Sequence, residues 1–133
     1  MRQGRTVLEA KRYGVYTCKA TTTMIDAART LLEKDVSALV VVADDETLVG
    51  VLSRTDLLRA YVDHEDWANL LVSQYMSTDV VTVTPQTLLF DVAQLLLKNH
   101  IHRLVVLRQE GNRQRPVAVV SDGDFVYHMV KQS

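Results

Sequence analysis

The chain has 133 residues, 15 Lys plus Arg against 16 Asp plus Glu, a formal net charge of −1 and 47% hydrophobic residues. That balance argues against disorder and offers no basic face, so no nucleic-acid partner is expected. No apolar run approaches the ~20 residues that cross a bilayer, "MRQGRTVLEAKRYG" lacks a secretory apolar stretch, and the single Cys18 leaves no internal disulfide or multi-cysteine zinc site. These absences set the expectation of a cytoplasmic protein with no membrane partner and no metal.

Residues 1–5 read as a frayed tail and "TVLEAKR" (6–12) as a lead-in. A short β-branched strand is predicted at Val15–Cys18. A helix follows, because Met24, Ala27, Ala28, Leu31 and Leu32 recur at helical spacing. Thr22 stands near its start, and Asp26 in its first turn suits the dipole. A buried strand (Ala38–Val42), a turn and a third strand (Leu48–Leu52) lead to a second helix that opens at Ser53-x-x-Asp56. The segment 60–76 carries the chain onward.

The same series then repeats. A shift of 65 residues lays 15–42 on 80–107 without a gap, with ten of 28 positions identical. Strands are predicted at Val80–Val83, Arg103–Leu107 and Pro116–Val120. Leu89, Val92, Ala93, Leu96 and Leu97 mark the helix, with Thr87 and Asp91 matching Thr22 and Asp26. The shift then grows to 68, and three extra residues fall in "RQEGNRQRP" (108–116), where a hairpin loop absorbs an insertion cheaply. The shift of 65 also sets Val7 on Val72. The boundaries are repeat 1 over 6–64 and repeat 2 over 71–131, with 65–70 as linker. The fold class is mixed α/β (α+β), two β-α-β-β-α units related by a pseudo-two-fold axis, each marginal in size by itself.

"VLSRTDLL" (51–58) and "VVSDGDFV" (119–126) both contain Ser-x-x-Asp. One reading is a helix cap, Ser53 or Ser121 with Asp56 or Asp124 three residues on. The other is a ligand site. A helix start presents free N–H groups to a phosphate, and an Asp one turn in accepts from a vicinal diol such as a ribose. The two readings are compatible.

The repeat, the "GVLSRTDLL" ending and the "HIHRLVVL" stretch resemble a tandem pair of cystathionine-β-synthase (CBS) domains, a Bateman module, over residues 6–131. The resemblance implies a regulatory module that binds an adenosine-containing ligand (AMP, ADP, ATP, S-adenosylmethionine or NAD) between the repeats. It also implies a homodimer that acts on an effector protein. By the same resemblance one site joins Ser53, Arg54, Thr55 and Asp56 to Val80, Val81, Thr82 and Val83 and to Ile101, His102 and Arg103. The other joins Ser121 and Asp124 to Val15, Tyr16, Thr17 and Cys18 and to Val36, Ser37 and Ala38. The Asp residues would hold ribose, and the helix starts with His102 and Arg103 would hold phosphate. The first site is expected to bind nucleotide more tightly, because the second has Ser37 and Ala38 in place of the cations, Gly123 in place of Thr55 and Asp122 in place of Arg54. Repeat 2 also carries Ala118 where repeat 1 has Gly50.

Other residues carry blander readings. His100 and His102 alternate but lack a third ligand. His64 lies in a polar connection, and His128 reads as a surface or dimer-face residue. Cys18 is read as a small apolar filler, and Trp67 and Tyr75 as packing residues. No Walker loop or Rossmann glycine pattern occurs. No catalytic residues and no cofactor are expected. The rivals to a sensor are a small acid–base enzyme using Asp56 or Asp124 with His102, and a structural dimerisation module with empty clefts.

Overall fold

The computed structural model describes residues 5–7 and 14–132, Gln132 by its backbone alone. The expected tail, apart from Arg5, and most of the lead-in 6–12 lie outside the described residues. The elements run β1 (Thr17–Cys18), α1 (Met24–Lys34), β2 (Ala38–Val42), β3 (Leu48–Ser53) and α2 (Arg54–Asp63). Two 3-10 turns follow, Trp67–Asn69 and Val72–Gln74, then β4 (Thr82–Val83), α3 (Leu89–Lys98), β5 (Arg103–Glu110), β6 (Arg113–Ser121) and α4 (Asp122–Gln132).

Two compact units result. The first is Val15–Val80; the second joins Val81–Ser133 to the segment that ends at Gly14. Each has a three-stranded sheet in which the first strand runs parallel to the second and the second antiparallel to the third. The parallel pair requires a crossover, which α1 and α3 provide.

The lead-ins dock by backbone bonds at matching places. In the first unit Met24 N–H donates to the Leu70 carbonyl and Val72 N–H to the Thr22 carbonyl, both at 2.8 Å. In the second, Leu89 N–H donates to Arg5 and Val7 N–H to Thr87, at 2.9 and 3.0 Å. The segment before repeat 2 therefore caps repeat 1, and the segment before repeat 1 caps repeat 2. Val7 and Val72 are fully buried, each in the apolar core of the unit that receives it. The sequence boundaries keep each lead-in with its own repeat; the compact units exchange them.

Local chemistry explains the helix ends. Thr22 and Thr87 do not cap. Their hydroxyls accept from Lys19 and Thr84 N–H at 3.0 and 3.1 Å and close the turn before each helix. Thr23 caps α1, accepting from Asp26 N–H. Asp35 and His100, one repeat apart, both end a helix in the left-handed region, at φ 52° and 54°. Val36 and Ile101 N–H then reach back to Leu31 and Leu96, satisfying carbonyls a helix end leaves open.

β2 matches its prediction, and its five residues are all buried. The expected β5–β6 loop is instead more ladder. Pairing continues through Glu110↔Arg113, and Gly111 takes φ 62° in the turn. Pro116, which has no N–H to donate, sits beside the register shift at Leu107. The second helices begin at Arg54 and Asp122, directly after each Ser.

Candidate ligand site

An antiparallel hairpin sets the first residue of one strand against the last of the next. The register pairs Ala38 with Ser53 and Arg103 with Ser121. Each helix start is thereby tied to the residues before the inner strand of its own repeat. Arg54 N–H donates to the Ser37 carbonyl at 3.2 Å, and Asp122 N–H to the His102 carbonyl at 3.0 Å. Ser53–Asp56 therefore has Val36, Ser37 and Ala38 beside it. Ser121–Asp124 has Ile101, His102 and Arg103. Within the second unit, hairpin geometry also sets His102 and Arg103 beside the Ser121 helix start.

Both Ser-x-x-Asp motifs form capping boxes. Asp56 Oδ2 accepts from Ser53 N–H at 2.8 Å and from its hydroxyl at 3.1 Å. Asp124 Oδ2 accepts from Ser121 N–H at 2.7 Å, and Asp124 N–H donates back to Ser121 Oγ at 3.3 Å. The motif thus satisfies helix-start donors. The surroundings differ. Asp56 is buried, and its Oδ1 accepts from Arg59 at 2.8 Å. Asp124 is half-buried.

The second unit concentrates charge at its helix start. His102 Nδ1 and the Asp122 carboxylate lie 2.9 Å apart, both exposed. That bond holds the Asp122 carboxyl below the usual range; the Gly123 N–H and the charges of His102 and Arg103 act in the same direction against slight desolvation. Arg103 Nε is buried and has no hydrogen-bond partner. A buried guanidinium N–H left unbonded is costly, and Arg103 is the ladder partner of Ser121. The first unit has no cation at Ser37 or Ala38, and Arg54 and Thr55 are exposed.

The remaining predicted residues are placed as follows. The Tyr16 carbonyl accepts from Val40 N–H, and Lys34 Nζ lies 5.5 Å from the centre of its exposed ring. The Val81 carbonyl accepts from Val105 N–H. Thr17 and Thr82 are exposed, and Val15 and Val80 half-buried. Burial pushes the Cys18 thiol up to about 11. Trp67 and Tyr75 pack on the first core, and the Tyr75 hydroxyl donates to Asp63 at 2.8 Å. Among the described residues no three His, Cys, Asp or Glu side chains cluster to share an ion. No helix among them is long and apolar enough to cross a membrane. His128, read from the sequence as a surface residue, lines a cavity of about 350 Å³ in the second unit, with Arg5, Leu89, Phe125 and Lys131 among its walls.

The sequence matches the CBS domain family over residues 9–63 and 72–131. A protein of Methanocaldococcus jannaschii, MJ1225, is 32% identical over 120 residues, which cover 90% of this chain and 41% of that protein. The chain spans about half the length of several of the curated relatives it matches. The crystal structure of CBSX2 in complex with AMP is similar at 29% identity, with a TM-score of 0.81, covering 96% of this chain and 98% of that one. The CBS domain pair of MJ0100, solved with 5′-methylthioadenosine and S-adenosyl-L-methionine, shares the fold at 18% identity and a TM-score of 0.86, covering 98% of this chain and all of that one. With both repeats matched and the same β-α-β-β-α order in each unit, this chain belongs to the CBS domain family and carries two copies of the domain.

Proposed function

We propose that the chain is a regulatory ligand-binding module for an adenosine-containing ligand, with no catalytic activity of its own. The observation that carries this reading is the buried, unbonded Nε of Arg103 beside the Ser121 helix start. A phosphate there would accept from Arg103, from the Ser121 hydroxyl and from the first N–H groups of α4. His102 would join once it exchanged the Asp122 carboxylate for the phosphate. Asp124 would accept from the ribose. Val81 and Ile101, both partly buried, are among the apolar residues the family resemblance assigns to adenine. The similarity to CBSX2, a protein solved with AMP, supports this ligand class. AMP, ADP, ATP, S-adenosylmethionine and NAD all carry the adenosine that Asp124 would read.

The output of such a module is mechanical. α2 exposes Leu58, Tyr61 and Val62, and α4 exposes Val126, Tyr127, Met129 and Val130. We assign these faces to a homodimer and, through it, to a regulated effector protein, since apolar stripes of this kind mark association surfaces. Calorimetry of AMP, adenosine and S-adenosylmethionine into the protein, with chromatography of the nucleotide afterwards, tests the reading. Saturable binding without turnover is expected. Turnover would favour an enzyme, and silence across the panel would leave a structural module.

A further inference from the structure

At the Ser121 helix start the chain already places an anion of its own. The Asp122 carboxylate lies 2.9 Å from His102 Nδ1. The bond to His102 holds that carboxyl below the usual range; the Gly123 N–H and the charges of His102 and Arg103 add to it, against slight desolvation. The backbone donors are engaged as well. Asp122 N–H donates to the His102 carbonyl at 3.0 Å, and Asp124 N–H to Ser121 Oγ at 3.3 Å. The buried Nε of Arg103 is left without a partner. Asp122 therefore holds groups that a phosphate would use, and it stays ionised while it does so.

The first repeat shows that this helix start does not need the acid. At the shift of 68 residues Arg54 matches Asp122, and Ser53 and Asp56 match Ser121 and Asp124. α2 opens with the same capping box, and Arg54 N–H donates to the Ser37 carbonyl as Asp122 N–H does to His102. Both side chains are exposed. An acid in the first turn suits the helix dipole, but Asp124 already supplies one and completes the box without Asp122. The two units differ in charge instead. The acid stands where the adjoining strand start carries His102 and Arg103, and the cation where it carries Ser37 and Ala38.

We infer that Asp122 sets the charge preference for the ligand at the Ser121 helix start: its carboxylate is a resident anion that a phosphate must displace and an uncharged nucleoside need not. The inference rests on the proposed binding of adenosine compounds there. A phosphate monoester carries about −2 at neutral pH. Beside a carboxylate that stays in place, each of those charges costs about five-fold in affinity even at the dielectric of water. Parting the exposed His102–Asp122 pair instead costs about five-fold at most. By either route Asp122 lowers the affinity for AMP, leaves adenosine untouched and narrows the gap between them.

AMP and adenosine are titrated by calorimetry into the whole chain and into Asp122→Asn and Asp122→Arg. The first variant keeps the shape and removes the charge; the second restores the repeat 1 residue. AMP should bind about ten-fold tighter to Asp122→Asn and tighter still to Asp122→Arg, while adenosine stays within about two-fold of the parent. AMP that binds both variants and not the parent would support the inference in its strongest form. AMP that binds the parent and gains nothing in either variant would overturn the inference and leave the proposed ligand class standing. Equal gains for AMP and adenosine would also overturn it, since Asp122 would then act on the whole site and not on charge. If neither ligand binds any of the three proteins, the reading of an adenosine ligand falls and the inference falls with it.

Discussion

A Cβ on Gly50 would stand 2.6 Å from the carbonyl oxygen of Ser77. The contact exists because the lead-in of repeat 2 pairs with β3, Val51 and Ser77 exchanging backbone bonds at 2.9 Å. Backbone cannot swing aside as a side chain can, so Gly50→Ala must push the two segments apart. A loss of about 1–3 kcal/mol in urea unfolding is expected, the usual penalty for overpacking. At the matching place in the second unit Ala118 is fully buried with its methyl already accommodated. Unchanged stability in Gly50→Ala would mean that the lead-in pairing contributes nothing.

Cys18 tests burial directly. Its thiol is pushed from 9.0 up to about 11 by desolvation. The thiolate fraction at pH 8 then falls by about a hundred-fold, and only thiolate is alkylated at a useful rate. Iodoacetamide labelling should therefore be slower by about that factor than in the urea-unfolded chain. The folded pKa lies above the unfolded one. This group therefore favours the fold fully below pH 9, and its contribution is lost as pH rises toward 11. Labelling at the unfolded rate would show an accessible thiol.

The exposed faces of α2 and α4 predict self-association. Leu58, Val62, Val126 and Val130 are each more than half exposed. Sedimentation at tens of micromolar should give twice the mass of one chain, and Val62→Glu with Val130→Glu should give one chain. A wild-type monomer with and without AMP would remove the homodimer from the proposal.

Much of this architecture was legible because its signals are local. Uninterrupted β-branched runs define β2 and the centre of β5, and helical spacing defines α1 and α3. The Ser-x-x-Asp boxes appear where the motif was read, since Ser N–H and Asp carboxylate meet within one turn. The exchange of lead-ins was not legible; only the Val7–Val72 match hinted at it, and periodicity carries no information on which unit receives a strand. The extended hairpin was missed because "RQEGNRQR" is polar on both faces, and its pairing rests on backbone bonds. Asp35 and His100 end helices without the Gly or Asn that announces a left-handed residue. The neighbourhood of His102 and Arg103 with Ser121 was not legible either, because it depends on strand register.

Arg103 separates phosphate binding from adenosine binding. If its unbonded Nε reads phosphate, Arg103→Ala should weaken AMP by roughly ten- to a hundred-fold, the value of a charged hydrogen bond. Adenosine should change little in the same calorimetric titration. Equal losses for both ligands would assign Arg103 to folding.

The two Asp residues should now behave oppositely to their order of importance in the sequence. Asp56 is 5% exposed, with one oxygen taken by Ser53 and the other by Arg59. Its repeat offers no cation at Ser37 or Ala38. Asp56→Asn should therefore act on stability, losing about 1–3 kcal/mol as buried charged bonds are broken, while a variant kept folded binds AMP almost as the parent does. Asp124 shares its helix start with Ser121, and the adjoining strand start supplies His102 and Arg103. Asp124→Asn should weaken both AMP and adenosine by about ten-fold, because the ribose bonds common to both are lost. The measurement is calorimetry on both variants at a temperature where denaturation curves show each fully folded. If Asp56→Asn loses the tight AMP site and Asp124→Asn keeps it, phosphate is read at Ser53 and the assignment to the Ser121 start is wrong.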